Sequence, residues 1–317
     1  MLNFLMVYFK TFSIQKKVPI LWSNFLCAIA IMFFSIGFPI LDIILNSWGI
    51  ISIATIRNIL AFFLIFAIWI GFEGYEKIFS ANWKLGFCIG AIGFGIGSIL
   101  LIIAQSLTSP IVAALAAALM PLAAVFIEII LDQRKLNLLF LIGLLFVLFG
   151  GIVSIGSRIS SVEFGLGLLV ALFSVSSFAW GSRATVKNLT NITTLEQTVV
   201  TTFGMAGFSV LIYFLCFCFK LPFIKIPTLT MENGFYIIIY SWLALGISQI
   251  LWIKGVKNLG IGIASFHLNM TPFYVMLILV FFGHVWLWQQ ATGATIVIIG
   301  VVLSQLRSKR FFRFSKN

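Results

Sequence analysis

The chain has 317 residues, of which 62% are hydrophobic and 9% charged, with a mean hydropathy of +1.17 and a formal net charge of +12. Soluble domains carry about 25% charged residues, and no water-soluble fold hides this much apolar surface, so the composition excludes a soluble protein and points to a polytopic membrane protein. The basic residues are scattered through short breaks between apolar runs, not gathered on one soluble face, which argues for a lipid bilayer and against nucleic acid as partner.

A membrane-crossing helix needs about 20 mostly apolar residues. Runs of that kind predict ten spans at 24–45, 48–71, 85–104, 110–131, 136–156, 164–184, 198–219, 235–255, 262–282 and 287–306. The breaks fall at turn-forming or charged stretches, among them Asn46-Ser47, Gly71 to Lys84, Asp132 to Lys135 and Lys220 to Glu232, the last with Pro222 and Pro227. Residues 1–19, with Lys10, Lys16 and Lys17, read as a cytoplasmic tail before a retained first span, because no small-residue cleavage site follows promptly. Residues 1–156 and 164–306 then form two five-span halves joined by a linker at 157–163, and 307–317 form a basic tail.

Lysine and arginine are retained on the cytoplasmic side. With the N-terminus inside, sixteen basic residues fall in inner segments, against Arg158, Lys220 and Lys225 outside. That asymmetry supports ten spans and two cytoplasmic termini. The halves are also copies. At an offset of 151 Gly95 meets Gly246, Ile99 meets Ile250, Ala113 meets Ala264 and Pro121 meets Pro272; after a one-residue shift Gly143 meets Gly293 and Gly150 meets Gly300. A period near half the chain marks duplication. Five spans is an odd number, so the second copy enters the membrane from the opposite side. The expected fold is all-α, ten helices in two inverted repeats, the plan of many secondary transporters.

On these residues the chain resembles the EamA-type branch of the drug/metabolite transporter superfamily. The resemblance rests on the half-repeat ending in Pro121, on Gly143 and Gly150, and on a second copy with Gly255-Val-Lys-Asn-Leu259, Asn269-Met-Thr-Pro272, Gly283, Gly293 and Gly300. Ser52 to Arg57 resembles the arginine-containing second span of that family. The resemblance implies transport of a small metabolite, such as an amino acid, in a bacterial cytoplasmic membrane. It further implies a central cavity from spans 1–4 and 6–9, with spans 5 and 10 to the side. The chain departs from the family at the Gly-Glu pairs after the fourth and ninth spans, which read Asp132-Gln133 and Gly283-His284, and at two tryptophan positions held by Phe34 and Phe178.

Arg57 lies roughly 13 Å deep at 1.5 Å per residue. A charge there costs at least about 2.5 kcal/mol in lipid, so it faces a cavity or a partner. It either binds an anionic group of the substrate or forms an ion pair, structural or gating, for which Asp42 is the best-placed acid. Glu128 reads either as a proton-coupling carboxylate or as an interfacial one paired with Arg134 and Lys135. His267 and Asn269 stand opposite Ala116 and Ala118 of the first copy, an asymmetry where a duplicated scaffold would acquire a substrate site. Pro272 cannot donate to the carbonyl of Leu268, which offers a freed carbonyl; the alternative is a histidine satisfied by a backbone carbonyl. Gln249, Trp180, Tyr240, Trp252 and Tyr274 either line the cavity, favouring cationic or aromatic ligands, or pack between helices. The substrate is therefore expected beside Pro272, facing Arg57.

Gly86-x3-Gly90 and Gly93-x3-Gly97 permit close helix contact. Gly143 with Gly150 and Gly293 with Gly300 form small-residue faces, suited to an internal contact or a homodimer seam. Cys27, Cys88, Cys216 and Cys218 read as small apolar residues, without a metal or cofactor. The leading function is a secondary active transporter of a small organic solute working by alternating access. The alternatives are an intramembrane enzyme, which needs clustered acid, base or nucleophile groups, and a non-transporting receptor. The chain has two histidines and neither an HExxH nor a GxSxG motif.

Overall fold

The computed structural model describes residues 20–132, 138–155, 162–228 and 230–305, and these residues contain helices and no strand. In chain order the long helical segments are α1 (Ile20–Leu45), α2 (Ile50–Glu73), α3 (Trp83–Leu107), α4 (Pro110–Leu131) and α5 (Leu138–Ile155). They continue with α6 (Val162–Asn188), α7 (Thr194–Cys218), α8 (Met231–Leu259), α9 (Ile261–Phe281) and α10 (Trp288–Gln305). Eight of them, α1–α4 and α6–α9, are long and apolar enough to cross a membrane. The predicted fifth and tenth spans coincide with α5 and α10, each of 18 residues.

Local chemistry sets where helices begin. Ser109 accepts from the Val112 N–H at 3.3 Å and is followed by Pro110, whose missing donor costs nothing at a first helical position. Thr193 and Thr230 cap α7 and α8 in the same way, accepting from Glu196 N–H at 3.0 Å and Asn233 N–H at 3.2 Å. Phe63, Leu145, Phe149, Phe173 and Phe214 are exposed on the surface. Water would penalise such an apolar girdle; acyl chains match it.

The helix contacts repeat between the halves. α3 packs on α6 and α1 on α8; α3 packs on α7 and α2 on α8; α4 packs on α6 and α1 on α9. The pairs α2–α7, α4–α9 and α5–α10 also touch. Exchanging each helix for the one five places on maps this set onto itself. Details repeat too. Gly93 of α3 lies so close to Gly181 of α6 that a Cβ would meet backbone, and at the matching place Gly37 of α1 lies against the side chains of Ala244 and Tyr240 of α8. Ser174 Oγ donates to the Gly97 carbonyl at 2.7 Å, and Ser248 Oγ donates to the Ala30 carbonyl at 3.0 Å. Gly93 and Gly97 of α3 map onto Ala244 and Ser248 of α8 at an offset of 151, whereas α1 maps onto α6 at 144, as Ala30 to Ser174 and Gly37 to Gly181 show. The difference lies in the connections, which is why ungapped matching finds the copy from α3 onward and misses α1 and α2.

Two irregularities recur at matching places. α3 contains a π-helical stretch at Gly90–Gly95, and α8 one at Ile239–Ile247. Gly90 abuts the Thr201 carbonyl and Gly204, an approach that only glycine allows. α4 is interrupted at Ala118–Leu119, just before Pro121, and α9 runs as a 3-10 helix over Ser265–Met270, just before Pro272. Each proline removes one backbone donor, and the chain tightens locally to compensate.

Of the two readings of the small-residue faces, the structure shows the internal contact. Gly150 of α5 fits against Gly293 and Val297 of α10, and Gly300 fits against Gly143 and Val147. Those faces are filled within the chain.

Candidate functional site

A cavity lies at the centre of the bundle, walled by α1, α2, α3, α4, α6, α8 and α9. The space in it that water can reach is about 70 Å³. Its walls are mainly apolar, with the rings of Phe34, Phe38 and Phe178 beside Leu101, Met120 and Leu268. The matched positions Phe34 and Phe178 thus both line it, one from each half.

Arg57 provides the charge. Its side chain is 4% exposed, and its position follows from α2 crossing α7 and α8. Nε donates to Asn58 Oδ1 at 3.3 Å, Nη1 to Tyr240 Oη at 2.7 Å and Nη2 to Ser98 Oγ at 3.0 Å. The guanidinium carbon sits 4.7 Å from the centre of the Tyr240 ring, within cation–π range. Asn58 extends the network to α7 by donating to Ser209 Oγ at 2.7 Å. All three of the guanidinium's partners are neutral. A buried cation held only by neutral dipoles keeps most of its charge uncompensated, and here that charge is presented at a cavity wall.

Two buried amides complete the polar lining. Gln249, which matches Ser98 in the other half, has an Nε2 with no hydrogen-bond partner. Gln105 donates through Nε2 to the Phe38 carbonyl at 2.7 Å, while its Oε1 is unpartnered. Gln105 also lines a second cavity of about 490 Å³, which contains Asp42, Asn46, Ser47, Ser106, Thr108 and Lys225. It therefore stands in the partition between the two spaces.

The structure divides the predicted site residues. Arg57, Tyr240, Gln249, Trp252 and Phe34 line the central cavity. Trp252 is held there by donating from Nε1 to Ser182 Oγ at 3.0 Å. His267, Asn269, Pro272, Tyr274 and Trp180 do not line it. The His267 ring pairs through Nδ1 with the Ala264 carbonyl at 3.1 Å, the backbone-satisfied alternative. Asn269 is buried with its Oδ1 unpartnered, and of this stretch it is Leu268 that reaches the cavity. The carbonyl that Pro272 leaves free is taken by the Thr271 N–H in the 3-10 turn, so it is not an open ligand. Asp42 lies in the second cavity and is not among the hydrogen-bond partners of Arg57. The Glu128 carboxylate lies against Gly262 at the start of α9, away from the cavity; its expected partners Arg134 and Lys135 lie outside the described residues.

Sequence reasoning missed Gln105, because the third span was ended at residue 104 and the helix runs on to Leu107. It likewise missed the cluster at the far end of α2 and α7. There Glu73 accepts from Thr193 Oγ1 at 2.6 Å and from Trp69 Nε1 at 3.2 Å, beside the buried Glu196. The signal available was an acid at each of the adjoining helix ends, Glu73 closing α2 and Glu196 in the first turn of α7. Among the described residues, no three His, Cys, Asp or Glu side chains gather to hold a metal. The cysteines are free, with Cys27 and Cys216 buried and Cys88 and Cys218 exposed.

Residues 21–156 match the model of the EamA-like transporter family. Over that segment the chain is similar to EamA-like transporters. The matched segment runs from the start of α1 to the end of α5, one whole half of the bundle. No curated protein matches the sequence. A solved crystal structure, described only as that of a protein, shares the fold at a TM-score of 0.67 and 18% identity, covering 91% of this chain and 98% of its own. That coverage extends well beyond the segment matched by the family model.

Proposed function

We propose that this EamA-type protein is a secondary active transporter that moves a small organic metabolite by alternating access through the central cavity. On this reading ten spans form two inverted five-helix halves, with both termini cytoplasmic, in a bacterial inner membrane. Family membership favours a transporter over an intramembrane enzyme. The repeating helix contacts support two exchangeable halves, and the charge asymmetry of the loops supports their orientation.

The observation that carries the reading is Arg57. It is buried, held by neutral groups from α2, α3 and α8, and placed on the wall of a cavity that both halves enclose. A charge costly to hold in a membrane marks a substrate path. Purified protein in liposomes, screened for solute uptake under imposed pH and Na⁺ gradients, tests it. Gradient-dependent uptake that is lost in Arg57→Ala, with the protein still in the bilayer, is expected; undiminished uptake by the variant overturns the role of the cavity.

A further inference from the structure

We infer that the central cavity selects a small organic monoanion with an apolar body, and that it discriminates against zwitterions and amines. The inference rests on the cavity being the substrate path and concerns what that path accepts.

Charge balance comes first. Arg57 is the charged side chain on the lining, and among the described residues no Asp or Glu lines it. Asp42, the acid expected to pair with Arg57, lines the other cavity. A guanidinium has five N–H donors, and three are used on Asn58, Tyr240 and Ser98. The remaining two, together with the unpartnered Gln249 Nε2, present donors to a ligand. A carboxylate, with four lone-pair sites on two oxygens, takes such donors in short charge-assisted bonds.

An ammonium group meets the opposite situation. It brings three donors and a second positive charge near Arg57, where repulsion is only weakly screened. The one unpartnered acceptor on the lining is Gln105 Oε1, a neutral amide oxygen. A zwitterion thus gains at its carboxylate and loses at its ammonium, whereas a simple carboxylate gains only.

The rest of the ligand is set by the walls. Phe34, Phe38 and Phe178 line the space, and Trp252 lines it with its N–H already committed to Ser182. The water-reachable space of about 70 Å³ favours a compact body.

The test uses radiolabelled benzoate and the purified full chain in detergent, with benzamide, benzylamine and phenylglycine, each a single phenyl ring with a different head group, as competitors. Benzoate is expected to compete at least about ten-fold better than each. In Arg57→Gln its advantage over benzamide is expected to shrink to about two-fold or less; Gln249→Ala, a milder change, is expected to weaken benzoate alone. Absence of benzoate binding, equal competition by phenylglycine or benzylamine, or an unchanged preference in Arg57→Gln overturns the inference. The wild-type series decides the matter by itself if a variant fails to fold. Benzoate counterflow in liposomes separates the two readings. Selective binding without counterflow keeps this inference and overturns transport, while counterflow with equal use of phenylglycine does the reverse.

Discussion

Gln105 Nε2 donates to the Phe38 carbonyl oxygen at 2.7 Å, bridging α3 to α1 where the central cavity meets the second, more polar one. The bond closes a partition, and a neutral hydrogen bond is a suitable latch because its net worth is only about 0.5–1.5 kcal/mol. Gln105→Ala is therefore expected to open the partition without unfolding the bundle. A cysteine placed at Leu101, in a background with the four native cysteines replaced, should react at least about three-fold faster with a membrane-impermeant thiol reagent when Gln105 is also alanine. Equal rates would show that the latch does not control access.

Asn58 supports Arg57 from the side, bonding to Ser98 at 3.2 Å and to Ser209 at 2.7 Å. Asn58→Ala is expected to lower apparent substrate affinity by roughly ten-fold, since hydrogen bonds tied to a charged group are worth about 1.5–3 kcal/mol. Asn58→Asp should do worse, by placing a carboxylate against the guanidinium and neutralising the charge offered to the ligand. Concentration dependence of uptake measures both, and an Asp variant that outperforms the Ala variant contradicts the assignment.

His267 is bonded to its own turn and stands off the lining. His267→Ala should leave substrate affinity within about two-fold of wild type, with an unchanged pH profile of uptake. A displaced profile would mean that the histidine reaches the path in another conformation.

Gly93 and Gly181 meet backbone to backbone. Gly93→Val is expected to cost about 1–3 kcal/mol or more through overpacking, read as a lower midpoint of thermal unfolding in detergent. Gly71→Ala, in open space on α2, should be neutral or raise the midpoint, because alanine is the better helix former.

At the far end, Glu73 holds Thr193 and Trp69. Glu73→Gln keeps one acceptor oxygen and should lose about 1 kcal/mol, whereas Glu73→Ala should lose about 1–3 kcal/mol. The same thermal assay separates them, and equal losses would mean that the carboxylate does not hold this corner.

Apolar run length made the helices legible in the sequence, and the spaced glycines made the contacts legible. Gly150 and Gly300 marked a close-contact face on α5 and α10, left open in the sequence between an internal contact and a homodimer seam, because small residues let helices approach closely in a membrane. Arg57 announced the cavity because an intramembrane charge needs a reason. What was not legible depended on rotation. Residues 267 and 269 looked like a site by comparison with alanines in the other copy, but the 3-10 turn before Pro272 sends Leu268 to the cavity instead. Gln105 was hidden by a helix that outlasts its apolar run, and the α1–α6 correspondence by connections of unequal length.

The π-helical stretches have a genetic consequence. Each is a surplus residue in the register, and an α-helix turns about 100° per residue. Deleting one residue within Gly90–Gly95 shortens α3 by almost nothing, yet it swings everything from Ser98 to Gln105 round the helix axis. Ser98 would leave Arg57, and Gln105 would leave Phe38. The same deletion within Ile239–Ile247 would turn Gln249 and Trp252 out of the lining. In these two helices the count of residues matters more than their identity, so length variation there should be far less tolerated than conservative substitution.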